Sequence, residues 1–135
     1  MLAYRAAMRL PRHGHAERRA TSRAELYAIL DRWSRRLRHY QRAYAHRRPI
    51  LDGLLCIHSY EGAWTSVSAT IPTYYGGLQM DLSFEQTYGA DVLAYRGGAN
   101  ANEWPAHDQL MVGVRAYKVR GWTPWPNSAA MCGLL

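Results

Sequence analysis

The sequence lacks a long apolar run. No stretch of about 18 apolar residues occurs in its 135 positions, which excludes a membrane-spanning helix on length alone. The first residues also lack an uninterrupted apolar segment, because Arg5, Arg9 and Pro11 break it, so we predict no signal peptide there. A chain of this length predicts one domain with a modest core.

Cysteine is scarce. The two cysteines, Cys56 and Cys132, can form at most one disulfide. If they are oxidised, the long loop that they close would add roughly 4 kcal/mol of stability on a loop-entropy model. A structural disulfide is typical of exported proteins, which conflicts with the missing signal. We therefore expect a signal upstream of this sequence, or else another route of export such as phage-type lysis.

Acidic residues are few in the first 50 positions. Thirteen of the 17 lysines and arginines stand there against three acids, a net charge of +10, whereas residues 51–135 hold four bases and seven acids, a net charge of −3. The arginines could neutralise nucleic-acid phosphates, but no base-reading motif accompanies them, so we expect no specific nucleic-acid partner. Anionic wall polymers or anionic lipid surfaces suit the same charge.

Composition divides the chain into three segments. Residues 1–20 are rich in Arg and His and predict a disordered basic arm. Residues 21–49 predict a basic amphipathic helix and linker. From residue 50 to residue 135 the composition becomes apolar, glycine-rich and aromatic, which predicts the folded module.

The helix of the second segment has a clear beginning. Ser22 and Glu25 fit a capping box, and apolar residues recur behind them at helical spacing, which predicts a helix over about 23–45. Pro49 predicts its end, since the residue before a proline disfavours the helical region.

The module also predicts mostly helices. We expect one to run to about Glu61 and stop at Gly62, with a loop or short extended ribbon over 65–73. Further helices are predicted from a capping box over 83–86, over 90–95, and from Asp108 as N-cap to Gly121. We assign the fold class as α+β, predominantly helical.

One acid stands among aromatic residues. Glu61 is predicted at a helix C-terminus, where the macrodipole favours the protonated acid, and the neighbouring rings of Tyr60 and Trp64 favour it further. A protonated carboxyl can protonate a glycosidic oxygen, and aromatic faces suit sugar rings. Local chemistry alone favours the simpler interpretation, that Glu61 is a surface acid ending a helix.

The stretches "EGAW" and "YYGGLQM" together resemble the resuscitation-promoting factors and related actinobacterial transglycosylase-like proteins. The likeness covers roughly Leu51 to Gly133, including the tail "WPNSAAMCG". It implies a lysozyme-like fold acting on peptidoglycan, with Glu61 as the catalytic acid, Tyr75 and Gln79 in the substrate groove, and Trp64 as the aromatic residue after the acid.

The sequence departs from the family pattern at the cysteine. In the family a cysteine directly precedes the glutamate, whereas here Tyr60 holds that place and Cys56 lies five residues before the acid. The loop over 65–73 also looks longer than in the short factors. Pairing of Cys56 with Cys132 is therefore a hypothesis. The substrate-binding residues that we predict are Trp64, Tyr74, Tyr75, Gly77, Gln79 and Trp104, and we expect no metal or cofactor.

Several of these residues have a structural interpretation as well. If adjacent Tyr74 and Tyr75 are extended they face opposite ways, so one is expected in the core and one in the groove. The glycine pair at 76 and 77 either permits a tight turn or lets a glycan approach. Trp104 suits packing as well as it suits a sugar platform.

A single acid can suffice for cleavage. Glycosidases usually use two carboxylates, and Asp81 is the nearest second candidate, although its place before Ser83 favours a role in helix entry. Without a second acid, the C6 hydroxyl of the muramic acid can serve as the nucleophile. Glu61 then acts first as the acid and afterwards as the base, as in lytic transglycosylases. Hydrolysis by water is the alternative reaction that the sequence does not exclude. We expect a protein that is extracellular or bound to the cell wall, with other wall hydrolases as possible partners.

Rival functions are weaker. A module that grips glycan without cleaving it is the main alternative. A cysteine peptidase using Cys56 with His58 or His107 has no base that the sequence positions. A zinc site using Cys132 lacks paired ligand spacing.

Overall fold

The computed structural model describes residues 22–135, so the arm predicted over 1–20 lies outside the described residues. Contacts within the chain group it into two units, Met1–Arg48 and Pro49–Leu135, and each is described by itself.

The described residues are predominantly helical, as the sequence predicted. Residues 22–135 contain no strand, and extended pairing is limited to two isolated antiparallel bridges, Val67 with Tyr75 and Tyr75 with Met80. The α+β class is therefore not shown. The five α-helices are α1 (Arg23–Glu61), α2 (Leu82–Tyr88), α3 (Ala90–Tyr95), α4 (Ala106–Arg120) and α5 (Pro126–Met131), with a 3₁₀ turn at Ala101–Glu103.

Helix α1 begins with the predicted capping box. The Ser22 backbone N–H donates to Glu25 Oε2 at 3.0 Å, and the Glu25 N–H donates to Ser22 Oγ at 3.1 Å. Two otherwise orphaned donors are satisfied in this way. In the described part of the first unit, several large apolar side chains stay exposed and Arg35 pairs with Asp31.

The predicted break at Pro49 is wrong. Helix α1 runs through the proline for 39 residues. A proline removes a single N–H donor and crowds one carbonyl, at a cost of about 3 kcal/mol, while the turns on both sides keep their own bonds. The end of the helix is as predicted: Gly62 follows Glu61 with a φ of 148°, and its N–H donates to the His58 carbonyl at 3.2 Å.

The shorter helices keep the predicted positions but begin at other residues. Asp81, rather than Ser83, caps α2, because its Oδ1 accepts from the Phe84 N–H at 2.7 Å. The N-cap of α4 is Pro105, so Asp108 lies inside the first turn. Gly121 ends α4 as expected.

The core of the module lies where α1, α4 and α5 meet the segment before α2. No helix among the described residues combines the length and apolarity that crossing a membrane requires. The buried apolar residues are Leu54, Ile57, Leu78, Met80, Val92, Ala101, Trp104, Val112, Val114, Ala116, Trp125 and Ala129.

A disulfide joins Cys56 to Cys132, which confirms the pairing. It links α1 to the residue that caps α5. Both sulfurs are consumed, so neither cysteine is a thiol nucleophile or a thiolate ligand. The cysteine-peptidase hypothesis therefore loses its nucleophile, and the zinc hypothesis loses its thiolate ligands. Residues 22–135 also place no group of three or more His, Cys, Asp or Glu where it could hold a metal ion.

Removing the disulfide should weaken the module. We expect the double variant Cys56→Ala/Cys132→Ala to lose about 4 kcal/mol of unfolding free energy, because the bond spans 76 residues and restricts the unfolded chain. Denaturant titration measures this loss. The wild type with a reductant should match the variant, and equal stability of the oxidised wild type and the variant would contradict the expectation.

Candidate active site

Glu61 is the last residue of α1 and is partly buried. Its Oε1 accepts a hydrogen bond from Ser128 Oγ at 2.6 Å. Ser128 belongs to α5 and is only 2% exposed. A buried hydroxyl thus orients one carboxyl oxygen, while the carboxyl group can still exchange a proton at the other.

The disulfide joins the two helices that carry Glu61 and Ser128. Cys56 lies five residues before Glu61 on α1, and Cys132 lies four residues after Ser128 at the end of α5. The covalent bond therefore joins the same two helices as the hydrogen bond and limits how far they can separate.

A tight turn follows the loop after Glu61. The backbones of Tyr75 and Met80 exchange two hydrogen bonds, with N···O distances of 2.8 and 2.9 Å. Between them Gln79 adopts a φ of 48°, and its Nε2 donates to the Gly76 carbonyl at 2.8 Å. The Gln79 side chain therefore stabilises the turn that presents it.

Gly77 is an internal residue of this turn. Its N–H donates to Gln109 Oε1 at 2.8 Å, and its carbonyl accepts from His58 Nδ1 at 3.1 Å. A Cβ built at this position would lie 2.5 Å from both His58 Nδ1 and Trp64 Cε3. The glycine thus permits close internal packing, and both its backbone groups have partners within the protein.

Trp64 stacks on a histidine. The rings of His58 and Trp64 have centroids 3.7 Å apart and planes inclined by 16°. With its Nδ1 donating to the Gly77 carbonyl, His58 is a hydrogen-bonded structural residue. Trp64 is partly buried by this stack.

Gln109 was not anticipated from the sequence. It is fully buried on α4, and its Nε2 donates to the carbonyls of Trp64 and Trp104, each at 2.9 Å. With the bond from the Gly77 N–H, one amide joins three separate segments. The sequence signal that could have indicated the burial of Gln109 is its spacing, because it shares a helical face with Val112.

Trp104 belongs to the core. It is 3% exposed, and its Nε1 donates to the Ala99 carbonyl at 2.6 Å. A ring in this position has no free face for a sugar, so the structure favours its packing role.

A cavity of about 280 Å³ lies next to the turn. Tyr74 and Gln79 line it, whereas Glu61 does not. The adjacent tyrosines separate, since Tyr75 packs against the core. Trp125, which is 4% exposed, forms part of the wall, and its Nε1 donates to the Leu78 carbonyl at 2.8 Å. The cavity is also lined by Asp81, Tyr88 and Arg120.

Three other acids of the module have structural partners. Asp81 caps α2, which confirms the favoured interpretation. Hydrogen bonds from Arg115 lower the pKa of Asp91. Asp108 pairs with Arg96 at 2.7 Å.

Glu85 is a second carboxyl that the sequence did not reveal. It is fully buried, and its Oε1 accepts from the Ala101 N–H at 2.8 Å. Its Oε2 has no hydrogen-bond partner in the described residues. Burial raises the pKa of Glu85 to about 7, the nearby charge of Asp81 adds to this, and the Ala101 bond opposes it.

Comparison with known proteins adds no assignment: neither a protein-family model, nor a curated protein, nor a solved structure matches this chain.

Loss of the Gln109 amide should be costly. We expect Gln109→Leu to lower the unfolding free energy by about 3 kcal/mol or more, because three buried backbone groups lose their partner. Gln86→Leu, at an exposed position on α2, is the matched control and should change stability little. Denaturant titration compares the variants, and similar losses would contradict the role of Gln109.

Glu85 should make stability depend on pH. Because the folded pKa is about 7 against an ordinary 4.5, the folded state favours the proton, so stability falls as pH rises from 4.5 through 7. The loss amounts to about 3 kcal/mol. We expect Glu85→Gln to remove most of this fall, measured by denaturant titration across that range. The exposed control Glu103→Gln should retain it, and an unchanged slope in Glu85→Gln would contradict the assignment.

Proposed function

We propose that residues 50–135 form a lysozyme-like domain that cleaves the β-1,4 bond between muramic acid and glucosamine units of peptidoglycan. The observation that carries this proposal is the partly buried Glu61, whose Oε1 is held by the buried Ser128 hydroxyl. The resemblance of "EGAW" and "YYGGLQM" to transglycosylase-like proteins supports the same residue as the acid.

The mechanism uses one carboxyl group. Ser128 holds Oε1, and the proton of the Glu61 carboxyl passes to the glycosidic oxygen as the C1–O bond breaks. The C6 hydroxyl of the same muramic acid then attacks C1, and its proton returns to Glu61. The products are an anhydro end and a free 4-hydroxyl, with no water consumed.

The roles of the remaining acids favour this one-acid route. Four of the six, Asp81, Glu85, Asp91 and Asp108, each have a structural partner described above, and the other two, Asp52 and Glu103, are exposed. Attack by water on the same intermediate is the competing outcome, and it would yield a reducing end instead.

Part of the predicted groove supports the proposal. Tyr74 and Gln79 line the cavity, and Trp64 is partly buried after Glu61. Gly77 and Trp104 are internal and are left out of the proposed substrate contacts. An α+β lysozyme-like fold remains part of the proposal, as does a location outside the cell or in its wall.

The basic first unit suits an anionic partner. Its arginines and exposed apolar side chains on α1 are the chemistry that anionic wall polymers or anionic lipid surfaces attract. Such attachment would hold the proposed domain near its substrate.

A glycan-binding module without activity is the second candidate. The observation that favours it is the cavity, whose lining includes aromatic and hydroxyl side chains but not Glu61. The two candidates share the ligand and differ in the role of the acid.

Replacement of the acid separates them. We expect Glu61→Gln to slow release of soluble fragments from purified peptidoglycan by about 10² to 10⁴-fold, because Gln cannot donate the proton. Glu103→Gln, the same change at an exposed position, should leave the rate unchanged. Mass spectrometry of the fragments reports anhydro or reducing ends. Equal release by the wild type and Glu61→Gln would contradict the role of Glu61 as the acid, and no release by either protein would leave only the binding module.

A further inference from the structure

The cavity next to the turn carries a charge pattern that the proposed cleavage does not use. Arg120, the last residue of α4, lines it together with Asp81. Among the described residues, Arg120 takes no part in the ion pairs formed by Arg35, Arg96 and Arg115. Its guanidinium is a planar fork of donors that matches a carboxylate in a bidentate manner.

The negative charge of Asp81 does not fully neutralise the positive charge of Arg120. Its Oδ1 accepts from the Phe84 N–H, where the N-terminus of α2 offsets part of its charge. The carboxylate can still accept a hydrogen bond from a hydroxyl or an acetamido N–H. The cavity thus offers one acceptor and one base in a lining that also includes Tyr74 and Tyr88.

The position of the cavity connects it to the proposed acid. Trp125 lines the cavity and is the N-cap of α5, and Ser128, three residues later, holds Glu61. Residues at this spacing lie about one helical turn apart on one face. The wall of the cavity and the residue that holds Glu61 thus both belong to the first turn of α5.

We propose that this cavity is a binding subsite for an amino sugar that carries a carboxylate, with Arg120 as the residue that selects the charge. This inference rests on the proposed glycan function and deepens it. The aromatic walls accept the sugar ring, Asp81 accepts from its hydroxyl or amide groups, and Arg120 binds the carboxylate. Neutral amino-sugar chains would fit the same walls but leave the guanidinium without a partner.

Two groups in peptidoglycan can supply the carboxylate. One is the lactyl group of muramic acid when no peptide is attached, and the other is a carboxylate of the attached peptide. The chemistry is shared, so the probes must separate the sources.

The test measures binding in the full chain carrying Glu61→Gln, so that cleavage plays no part. Titration calorimetry compares four disaccharide probes: the glucosamine–muramic acid unit with a free lactyl carboxylate, the same unit with that carboxylate amidated, the unit bearing a dipeptide, and neutral di-N-acetylchitobiose. We expect about tenfold tighter binding of one carboxylated probe over both neutral ones.

Arg120→Gln should remove this preference and leave affinity for the neutral probes unchanged, while Arg120→Lys should keep part of it. Lys118→Gln removes an exposed base two residues earlier on α4 and should keep all of it. Circular dichroism checks that each variant is folded, and added salt should reduce only the carboxylate preference.

These binding measurements decide whether the cavity is the proposed subsite, whether or not the protein cleaves peptidoglycan. A preference for the free lactyl or the dipeptide probe that disappears in Arg120→Gln supports the proposal and identifies the source. Equal affinity for all probes, no measurable binding of the carboxylated probes, or a preference that persists in Arg120→Gln overturns it. Peptidoglycan digestion by the wild type tests the proposed function separately.

Discussion

The buried amide of Gln109 is the interaction on which the module depends. It reaches from α4 to the carbonyls of Trp64 and Trp104 and to the N–H of Gly77, so three segments without regular structure share one partner. Buried backbone groups must be paired, and loops cannot pair them through a ladder. The Gln109 side chain pairs backbone groups that neighbouring strands would pair in a sheet. The turn that presents Tyr74 to the cavity is held through this amide.

The proposed acid is held by constraints of two kinds. The hydrogen bond from Ser128 sets the orientation of the Glu61 carboxyl, and the disulfide sets how far apart the two helices can lie. A hydrogen bond of this type contributes about 1 kcal/mol and can open, whereas a covalent link persists through such openings. The arrangement keeps the proposed acid in place at a helix end, where fraying is otherwise common.

Much of the local structure could be predicted because it depends on neighbours in sequence. The capping box at Ser22 and the cap at Asp81 follow from side chains within three residues, and the end of α1 follows from the conformational freedom of Gly62. The continuation through Pro49 could not be predicted, since helix propensity on both sides outweighs one lost donor. Burial of Gln109, Glu85 and Trp104 is decided by distant segments, and a polar residue on a short helix gives no local sign of it. The Cys56–Cys132 pairing was a hypothesis because two cysteines allow one intramolecular disulfide but do not show that it forms.

Glu85 has a consequence for calorimetry. At a pH between the ordinary value and about 7, the folded protein holds a proton on this carboxyl that the unfolded chain gives up. Melting therefore acidifies the solution, and the released proton is captured by whatever buffer is present. The apparent heat of melting will then include the heat of protonating that buffer, so a phosphate solution and an amine solution will give different enthalpies for the same transition.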